Sequence, residues 1–311
     1  ADLVSKKADV VIGPTSSVLA ERLLPAIRLA GIPMISPAAT SPELTTDADG
    51  GLFFRTVPPY GDQGIALAKV ITAKGAVKVA LVYTDQEPGK SILPTLAAGL
   101  KAAKSTLFAE PVPTTTTDFA PIVAAVAAAK PDVVVLATDY NTLDLTKALI
   151  TQLVGAGYGG TKLWLTSQNA GDYSQALPGG SIVGVNGIIE GAQADAAFIA
   201  RLTAAAPGLA TYRYAPEAYD ATIMAALAAI VAKDNAGTAI ASHLTGVSRG
   251  GIKCTSFAEC LQVIGAGDDI DYDGISGPLN LTNGDPLPAY YGLYTFNAEN
   301  KFDFASGLLA G

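Results

Sequence analysis

The order of strand-like and helix-like segments is the feature that most constrains the fold of this chain. Short apolar runs alternate with segments of helical periodicity, at residues 9–13, 19–30, 32–36, 77–83, 92–103, 106–110, 119–129, 132–137, 143–153, 162–166 and 182–190. This alternation predicts parallel sheets with crossover helices. Helices then dominate residues 195–232, and antiparallel strands are predicted at 271–281 and 289–297, with an Asn283-Gly284 turn between them. The sequence therefore predicts an α/β protein built of two doubly wound units in succession.

Size and charge narrow the class of ligand. A chain of 311 residues, half of them hydrophobic, can bury two cores. Its net charge of −8, without any basic run, argues against nucleic acid or an anionic membrane as partner. No apolar run is long enough to cross a bilayer, and the first residues are not a signal peptide, which favours a mature or trimmed chain. We expect a small-molecule ligand.

The only two cysteines, Cys254 and Cys260, lie six positions apart. This spacing allows a disulfide that closes a small loop, and it does not fit a zinc ribbon. Two buried free thiols are the alternative. We favour the disulfide, and hence an exported protein, and we expect no metal or cofactor because so few His and Cys residues are present.

Hydroxyl side chains follow the first strand. Residues 9–13 end at Gly13, and Thr15, Ser16 and Ser17 precede an apolar helix, so Ser16 or Ser17 lies at or near a helix N-cap. Such a position can hold an anion, although a plain capping serine is the simpler interpretation. The next strand ends in a second hydroxyl-containing loop, residues 37–41. Because parallel strands end at one edge of their sheet, the two loops predict a shared polar pocket.

Three other motifs do not fit the chemistry they resemble. The GxGxxG pattern at 155–160 follows a helix, which is the reverse of the dinucleotide-binding order, and predicts a helix C-cap and turn. The GxSxG pattern at 246–250 has no strand before it, and His243 would have to act as the base for Ser248, so an α/β hydrolase is the least supported function. The calcium-like stretch 269–274 is interpreted as a solvated acidic turn. No enzyme activity is predicted.

Several segments together give a family resemblance. Residues 11–17, 32–44, 54–56, 271–278 and 283–285 resemble the type I periplasmic binding proteins of the leucine/isoleucine/valine-binding family. The resemblance implies two lobes, each with a mainly parallel doubly wound sheet, and a ligand captured between them by hinge closure. It places lobe one at 1–60 and 192–286 and lobe two at 61–191 and 287–311. From the same resemblance we expect the first βαβ unit of lobe one to be absent from this chain.

The resemblance also implies a set of ligand-binding residues. The first loop would hold a ligand carboxylate, mainly through Ser17, and the second loop would bind an ammonium group through Ala38 and Thr40. After the strand at 132–137, Tyr140 is the expected aromatic contact, and Asp139 could supply a negative charge. Gln168 stands where amino-acid binders carry a Glu, which leaves open a carboxylate ligand without an amine. The full predicted set is Thr15, Ser16, Ser17, Ala38, Ala39, Thr40, Asp139, Tyr140 and Gln168.

The function that the resemblance implies is extracytoplasmic solute binding. A small carboxylate or amino acid would be captured and delivered to an ABC-type membrane permease, by a monomer without cofactor that does not bind nucleic acid. The protein would be periplasmic or extracellular, either unattached or anchored as a lipoprotein. A ligand-sensing receptor or regulatory domain of the same fold is the alternative.

Overall fold

The computed structural model describes residues 2–46, 48–139, 142–209 and 211–311. The chain divides into two compact units, and it passes from one to the other three times. Unit 1 consists of Ala1–Pro59 and Gly191–Tyr290, and unit 2 consists of Tyr60–Glu190 and Tyr291–Gly311. Each unit therefore contains residues from distant parts of the sequence.

Helices and strands alternate along most of the chain. In chain order they are α1 Asp2–Ser5, β1 Val11–Ile12, α2 Ser17–Ala30, β2 Met34–Ser36, β3 Phe53–Arg55, α3 Gln63–Ala73, β4 Lys78–Thr84, α4 Ile92–Ala102, β5 Thr106–Val112, α5 Ala120–Ala129, β6 Val133–Ala137, α6 Leu143–Gly155, β7 Leu163–Leu165, β8 Asn186–Glu190, α7 Ala196–Ala205, α8 Ala215–Ala232, α9 Gly237–Leu244, β9 Ile252–Cys254, α10 Phe257–Ala266, β10 Ile270–Gly274, β11 Gly277–Pro278, β12 Leu281–Thr282, β13 Asp285–Pro286, β14 Ala289–Phe296 and β15 Phe302–Ala310. The alternation predicted from periodicity is confirmed from β1 to β7.

The first sheet of unit 1 is parallel, in the order β1-β2-β3. Helix α2 connects β1 to β2, and it begins after Ser16, whose side chain accepts the N–H of Leu19. Gly31 ends the helix in the left-handed conformation, with φ of 65°, which a glycine adopts without steric cost. The buried face of α2 joins a core cluster with β2 and β3, formed by Ala20, Leu24, Ile27, Met34 and Phe53. Local capping and apolar spacing thus place the β1–α2 loop at the edge of this sheet.

Helix α8 lies in the larger core of unit 1. Its buried residues Met224, Leu227 and Ala228 cluster with Leu244 of α9 and Tyr272 of β10. By length and composition alone α8 is apolar enough to cross a membrane, yet 44% of it is buried inside the protein. A helix in the core of a protein meets the same criterion of length and composition, because it too must be apolar.

Strands β9, β10 and β11 form a second sheet in unit 1, in which β10 pairs in parallel with β9 and antiparallel with β11. The interpretation of residues 269–274 as a solvated turn is therefore wrong. Lys253 of β9 forms ion pairs with Asp271, at 3.0 Å, and Asp273, at 2.9 Å. Two carboxylates can lie close together in β10 because both pair with the ammonium group of Lys253 on the neighbouring strand.

The predicted disulfide between Cys254 and Cys260 is confirmed, with the two Cα atoms 5.2 Å apart. It joins the end of β9 to α10, and both cysteines are fully buried in the core of unit 1. Ser256 caps α10 by accepting the N–H of Glu259, at 3.2 Å. The alternative of two free thiols is therefore excluded.

The predicted Asn283-Gly284 turn joins β12 to β13 in an antiparallel pair. The strand predicted at 271–281 is instead divided into β10, β11 and β12. Ile275 and Ser276 form a turn between β10 and β11, and Asn280, with φ of 40°, lies between β11 and β12. The turn lies against β3, because the N–H of Arg55 donates to the carbonyl of Gly284 at 2.9 Å.

Unit 2 contains one seven-stranded sheet in the order β15-β14-β8-β7-β6-β4-β5. Strands β5, β4, β6, β7 and β8 are mutually parallel, whereas β14 pairs antiparallel with β8. The strand predicted at 182–190 begins only at Asn186, because Gly180 and Gly184 adopt positive φ in the preceding turn. Residues 289–296 thus extend the parallel sheet of unit 2 and do not pair with 271–281.

The core of unit 2 lies between β4, β6 and β7 and the helices α5 and α6. Leu136, Val126 and Leu149 are fully buried in this cluster. Trp164 of β7 is 2% exposed and contacts the ammonium group of Lys74 at 5.6 Å from the ring centroid. Since Trp164 is the only tryptophan in the sequence, it gives unit 2 its own fluorescence signal.

Candidate functional site

The first hydroxyl loop of unit 1 lies between β1 and α2. Thr15 and Ser16 are exposed, and Ser17, the first residue of α2, is half-buried. The loop is held to β2, because Gly13 N–H donates to the carbonyl of Ile35 at 2.8 Å. Of the two serines predicted near the N-cap, Ser16 is the cap, so its hydroxyl already satisfies an amide of the first helical turn.

The second loop follows β2 and is organised by Ser36. The Ser36 hydroxyl donates to the carbonyl of Pro14 at 2.6 Å and accepts the N–H groups of Ala38, at 3.3 Å, and Ala39, at 2.9 Å. Ala38, Ala39 and Thr40 are buried. One hydroxyl thus shapes the second loop and ties it to the first.

A further hydrogen bond joins the two loops directly. The N–H of Ser41 donates to the Ser17 Oγ at 3.1 Å. Parallel pairing places Ile12 beside Ile35, so both loops leave the same edge of the sheet. The structure therefore brings together the six predicted residues of unit 1, at 15–17 and 38–40.

The charges around these loops were not predicted. Ser41 Oγ donates to the carboxylate of Glu43, and this hydrogen bond lowers the pKa of Glu43, which stays ionised at neutral pH. Arg55, at the end of β3, is fully buried and forms a bidentate ion pair with Asp285, with Nε–Oδ1 at 2.5 Å and Nη2–Oδ2 at 3.1 Å. Both residues lie in segments that carried the family resemblance, but no property of the sequence connected them.

The predicted residues of unit 2 lie at the ends of β6 and β7. Asp139 is half-buried, and its backbone carbonyl accepts the N–H of Thr142 at 2.9 Å and the hydroxyl of Thr146 at 3.0 Å. Gln168 is half-buried in the turn after β7. Tyr140 lies outside the described residues. The roles of Asp139, Tyr140 and Gln168 stay predictions.

A buried polar network in unit 2 was missed by the sequence reasoning. Gln63 donates to Ser167 Oγ, at 2.7 Å, and to Glu190 Oε1, at 2.9 Å, and Ser167 Oγ also donates to Glu190 Oε1. All three side chains are buried. Gln63 begins α3 and Glu190 ends β8, so the network links residues next to two of the passages between the units. Nothing in the periodicity could reveal it, because the partners are 104 and 127 positions apart.

The candidate hydrolase residues do not form a catalytic pair. Ser248 is fully buried, with its hydroxyl donating to the carbonyl of Thr245 and accepting the N–H of Leu281, each at 3.0 Å. His243 Nδ1 lies 2.9 Å from the carbonyl oxygen of Ala239 and 3.0 Å from the hydroxyl of Ser242. Both groups therefore have structural partners within unit 1.

A groove of about 540 Å³ in unit 1 lies away from the hydroxyl loops. Its lining includes the C-terminal residues of three helices, and none of the predicted binding residues: Ile230, Val231, Lys233, His243, Gly246, Val247, Arg249, Gly250, Ile264, Gly267, Asp268, Asp269 and Ile270. Among the described residues, no group of three or more His, Cys, Asp and Glu side chains could hold a metal ion. We take the paired loops as the candidate site in unit 1, because hydrogen bonds of Ser36 and Ser17 join the two predicted binding segments.

Comparison with known proteins places the chain in a family. The sequence model described as "Periplasmic binding protein" matches residues 1–253. The chemotactic signal transduction system substrate-binding protein BasB of Halobacterium salinarum is 28% identical over 300 residues, which cover 90% of this chain and 68% of BasB.

Two solved structures are similar in fold. The substrate-binding protein LivJ of Streptococcus pneumoniae in complex with isoleucine has a TM-score of 0.69 at 19% identity, covering 99% of this chain and 81% of LivJ. A solute-binding protein of an ABC transporter from Rhodopseudomonas palustris HaA2, in complex with p-hydroxybenzoic acid, has a TM-score of 0.71 at 20% identity, covering 99% and 80%. At this identity the two structures establish the fold, which is that of type I periplasmic binding proteins. With the family model matching most of its length, the chain belongs to the periplasmic binding protein family, whose members bind solutes.

Proposed function

We propose that this protein captures a small carboxylate, an amino acid or an aromatic acid, outside the cytoplasm and delivers it to an ABC-type importer. The observation that carries the proposal is the hydrogen bond from Ser41 N–H to Ser17 Oγ. A hydroxyl group has one hydrogen, and here its oxygen accepts from the protein. The Ser17 hydrogen can therefore be donated to a ligand oxygen, and a carboxylate is the strongest acceptor for it.

The start of α2 supports an anionic ligand group. The helix has 14 residues, and no acidic side chain lies in its first turn. Amides in the first turn of a helix have no partner within the helix, and the helix dipole makes this end partly positive. Ser16 satisfies the amide of Leu19, which leaves the amides at the very start of α2 directed away from the helix. A carboxylate beside Ser17 would accept from these amides as well.

The ligands named for the two similar structures, isoleucine and p-hydroxybenzoic acid, share a carboxylate and differ in the amino group. By the resemblance, Gln168 offers an amide where amino-acid binders carry a Glu, and Asp139, after the end of β6, is the residue that would supply a negative charge instead. An amino acid would use Asp139 for its ammonium group, whereas an aromatic acid would not need it. The variant Asp139→Asn distinguishes the two ligand types. It should weaken the binding of an amino acid and leave the binding of an aromatic acid unchanged.

A sensory role is the second candidate, and the similarity to BasB favours it. A sensor and an importer subunit would bind the ligand in the same way and differ in the membrane protein that they contact. Uptake of radiolabelled ligand into vesicles that contain the cognate permease, with and without this protein, separates the two. Uptake that does not depend on the protein would contradict the delivery role and leave the sensory role.

Ligand binding is tested by titration calorimetry with L-isoleucine, L-leucine, benzoate and p-hydroxybenzoate, and with glucose as a ligand without a carboxylate. Ser17→Ala is expected to weaken binding of the carboxylates about 10- to 150-fold, because a hydrogen bond to a charged group contributes about 1.5–3 kcal/mol. Ser256→Ala is the matched control, since Ser256 also accepts a backbone N–H at a helix start in unit 1. We expect it to leave the affinity unchanged.

Two results would contradict the proposal. In the first, no carboxylate of the panel binds or raises the melting temperature, although a ligand at a hundred times its Kd stabilises a protein by about 2.7 kcal/mol. In the second, Ser17→Ala and Ser256→Ala have the same affinity for the carboxylates.

A further inference from the structure

The guanidinium group of Arg55 contacts the second hydroxyl loop from inside unit 1. Its Nη1 donates to the carbonyl of Ala39, at 3.0 Å, and to the carbonyl of Ser41, at 2.8 Å. Its Nη2 donates to the hydroxyl of Thr45 at 2.6 Å. Because these two carbonyls belong to the residues on either side of Thr40, a single planar cation fixes the backbone on both sides of a predicted binding residue.

Asp285 holds this cation in place. Its carboxylate pairs with Nε and Nη2 of Arg55, and its Oδ2 also accepts the hydroxyl of Thr45 at 2.7 Å. Thr45 thus accepts from the arginine and donates to the aspartate. A buried charge needs such pairing, because an unpaired guanidinium without water is strongly unfavourable. The ion pair joins residues 230 positions apart in the sequence.

The same loop is held from the other side by Ser17. The N–H of Ser41 donates to Ser17 Oγ, while the carbonyl of Ser41 accepts from Arg55. The position of Ser41 therefore depends on Arg55, and the role of the Ser17 hydroxyl as acceptor depends on Ser41. If Ser41 moved away, Ser17 Oγ would lose its donor and its hydrogen would no longer have a fixed direction.

We propose that Arg55 is a positioning residue for the ligand site, which acts by fixing residues 39–41 and so orients the Ser17 hydroxyl. The inference rests on the proposed binding of a carboxylate at the two loops. Lysine cannot replace arginine here, since one ammonium group cannot meet two carbonyls, a hydroxyl and a bidentate carboxylate in a single plane. Asp285 and Thr45 serve the same role through Arg55.

The test measures hydrogen–deuterium exchange of the segment 37–45 without ligand, and then affinity for the carboxylate panel. Arg55→Lys is expected to speed exchange of this segment about tenfold or more relative to β2, because contacts to a charged donor are lost. Thr45→Val is a second variant for the case that Arg55→Lys fails to fold, since Thr45 is exposed. Thr45→Ser retains the hydroxyl. We expect it to have the wild-type exchange rate in segment 37–45 and the wild-type affinity for the carboxylates.

Leu244→Ala controls for a loss of stability alone, because Leu244 is fully buried in unit 1 but belongs to α9. It should speed exchange of β2 and of 37–45 together. The inference would be overturned if Arg55→Lys or Thr45→Val changed 37–45 no more than β2, or if Thr45→Val bound a carboxylate as tightly as Thr45→Ser. Selective loosening of 37–45 without binding of any carboxylate would refute the proposed function and retain Arg55 as the group that fixes the loop.

Discussion

Gly284 allows the β12–β13 hairpin to lie directly against β3, and Gly284→Ala tests this contact. Its φ is 82°, and a Cβ atom at this position would lie 2.5 Å from the carbonyl oxygen of Phe53. Backbone at this distance cannot move aside without shifting β3. The substitution therefore adds a steric collision to the conformational cost of a left-handed alanine.

The magnitude follows from these two costs. A left-handed alanine costs about 1–2 kcal/mol, and the stiffer unfolded chain offsets about 0.4–1 kcal/mol of this. Overpacking against backbone adds about 1–3 kcal/mol. With the central value of each range, we expect Gly284→Ala to lower the free energy of unfolding by about 3 kcal/mol. The matched control is Gly250→Ala, also in unit 1, with φ of 80° and no atom within 4 Å of the new Cβ.

The assay is urea unfolding followed by far-ultraviolet circular dichroism for the whole chain and by Trp164 fluorescence for unit 2. Gly250→Ala should lose only about 0.5–1 kcal/mol, since it has the conformational cost without the collision. The reasoning would be refuted if Gly284→Ala and Gly250→Ala lowered the free energy of unfolding by the same amount within about 0.5 kcal/mol. This result would mean that the hairpin moves away from β3 at little cost.

Three further variants test other parts of the fold. Leu149→Ala is expected to destabilise unit 2 by about 2–5 kcal/mol, because the residue is fully buried, and a shift of the Trp164 fluorescence transition measures this. Replacing Cys254 and Cys260 together with Ala should lower the free energy of unfolding by about 2 kcal/mol, and an unchanged melting temperature would contradict this. Burial raises the pKa of Asp220 above its usual 3.8. From about that pH upward the folded state binds more protons than the unfolded state, so this group's contribution to stability falls as pH rises. The free energy of unfolding of the wild type minus that of Asp220→Asn should therefore decrease as pH rises above about 3.8. A pH-independent difference in urea unfolding would contradict the assignment.

Much of the fold follows from local properties of the sequence. The β1–α2–β2 order could be predicted because apolar spacing, the cap at Ser16 and the left-handed Gly31 all act within a few residues. The strand at 182–190 was predicted too long because two glycine turns interrupt an apolar run, and glycine frequency alone does not show where φ is positive. The acidic stretch 269–274 was interpreted as a solvated turn because the sequence does not show that Asp271 and Asp273 pair with Lys253, which lies on another strand.

The candidate site likewise depends partly on local sequence pattern and partly on contacts between distant residues. The sequence by itself determined that two hydroxyl loops follow neighbouring parallel strands, because strand order and helix caps are set by short-range pattern. Only the tertiary structure decided that Ser41 donates to Ser17 and that Arg55 and Asp285 hold the second loop in place. Those contacts join residues 24 and 230 positions apart. The ion pair exists because a buried charge requires a partner in space, and neither contact leaves a periodic signal along the chain.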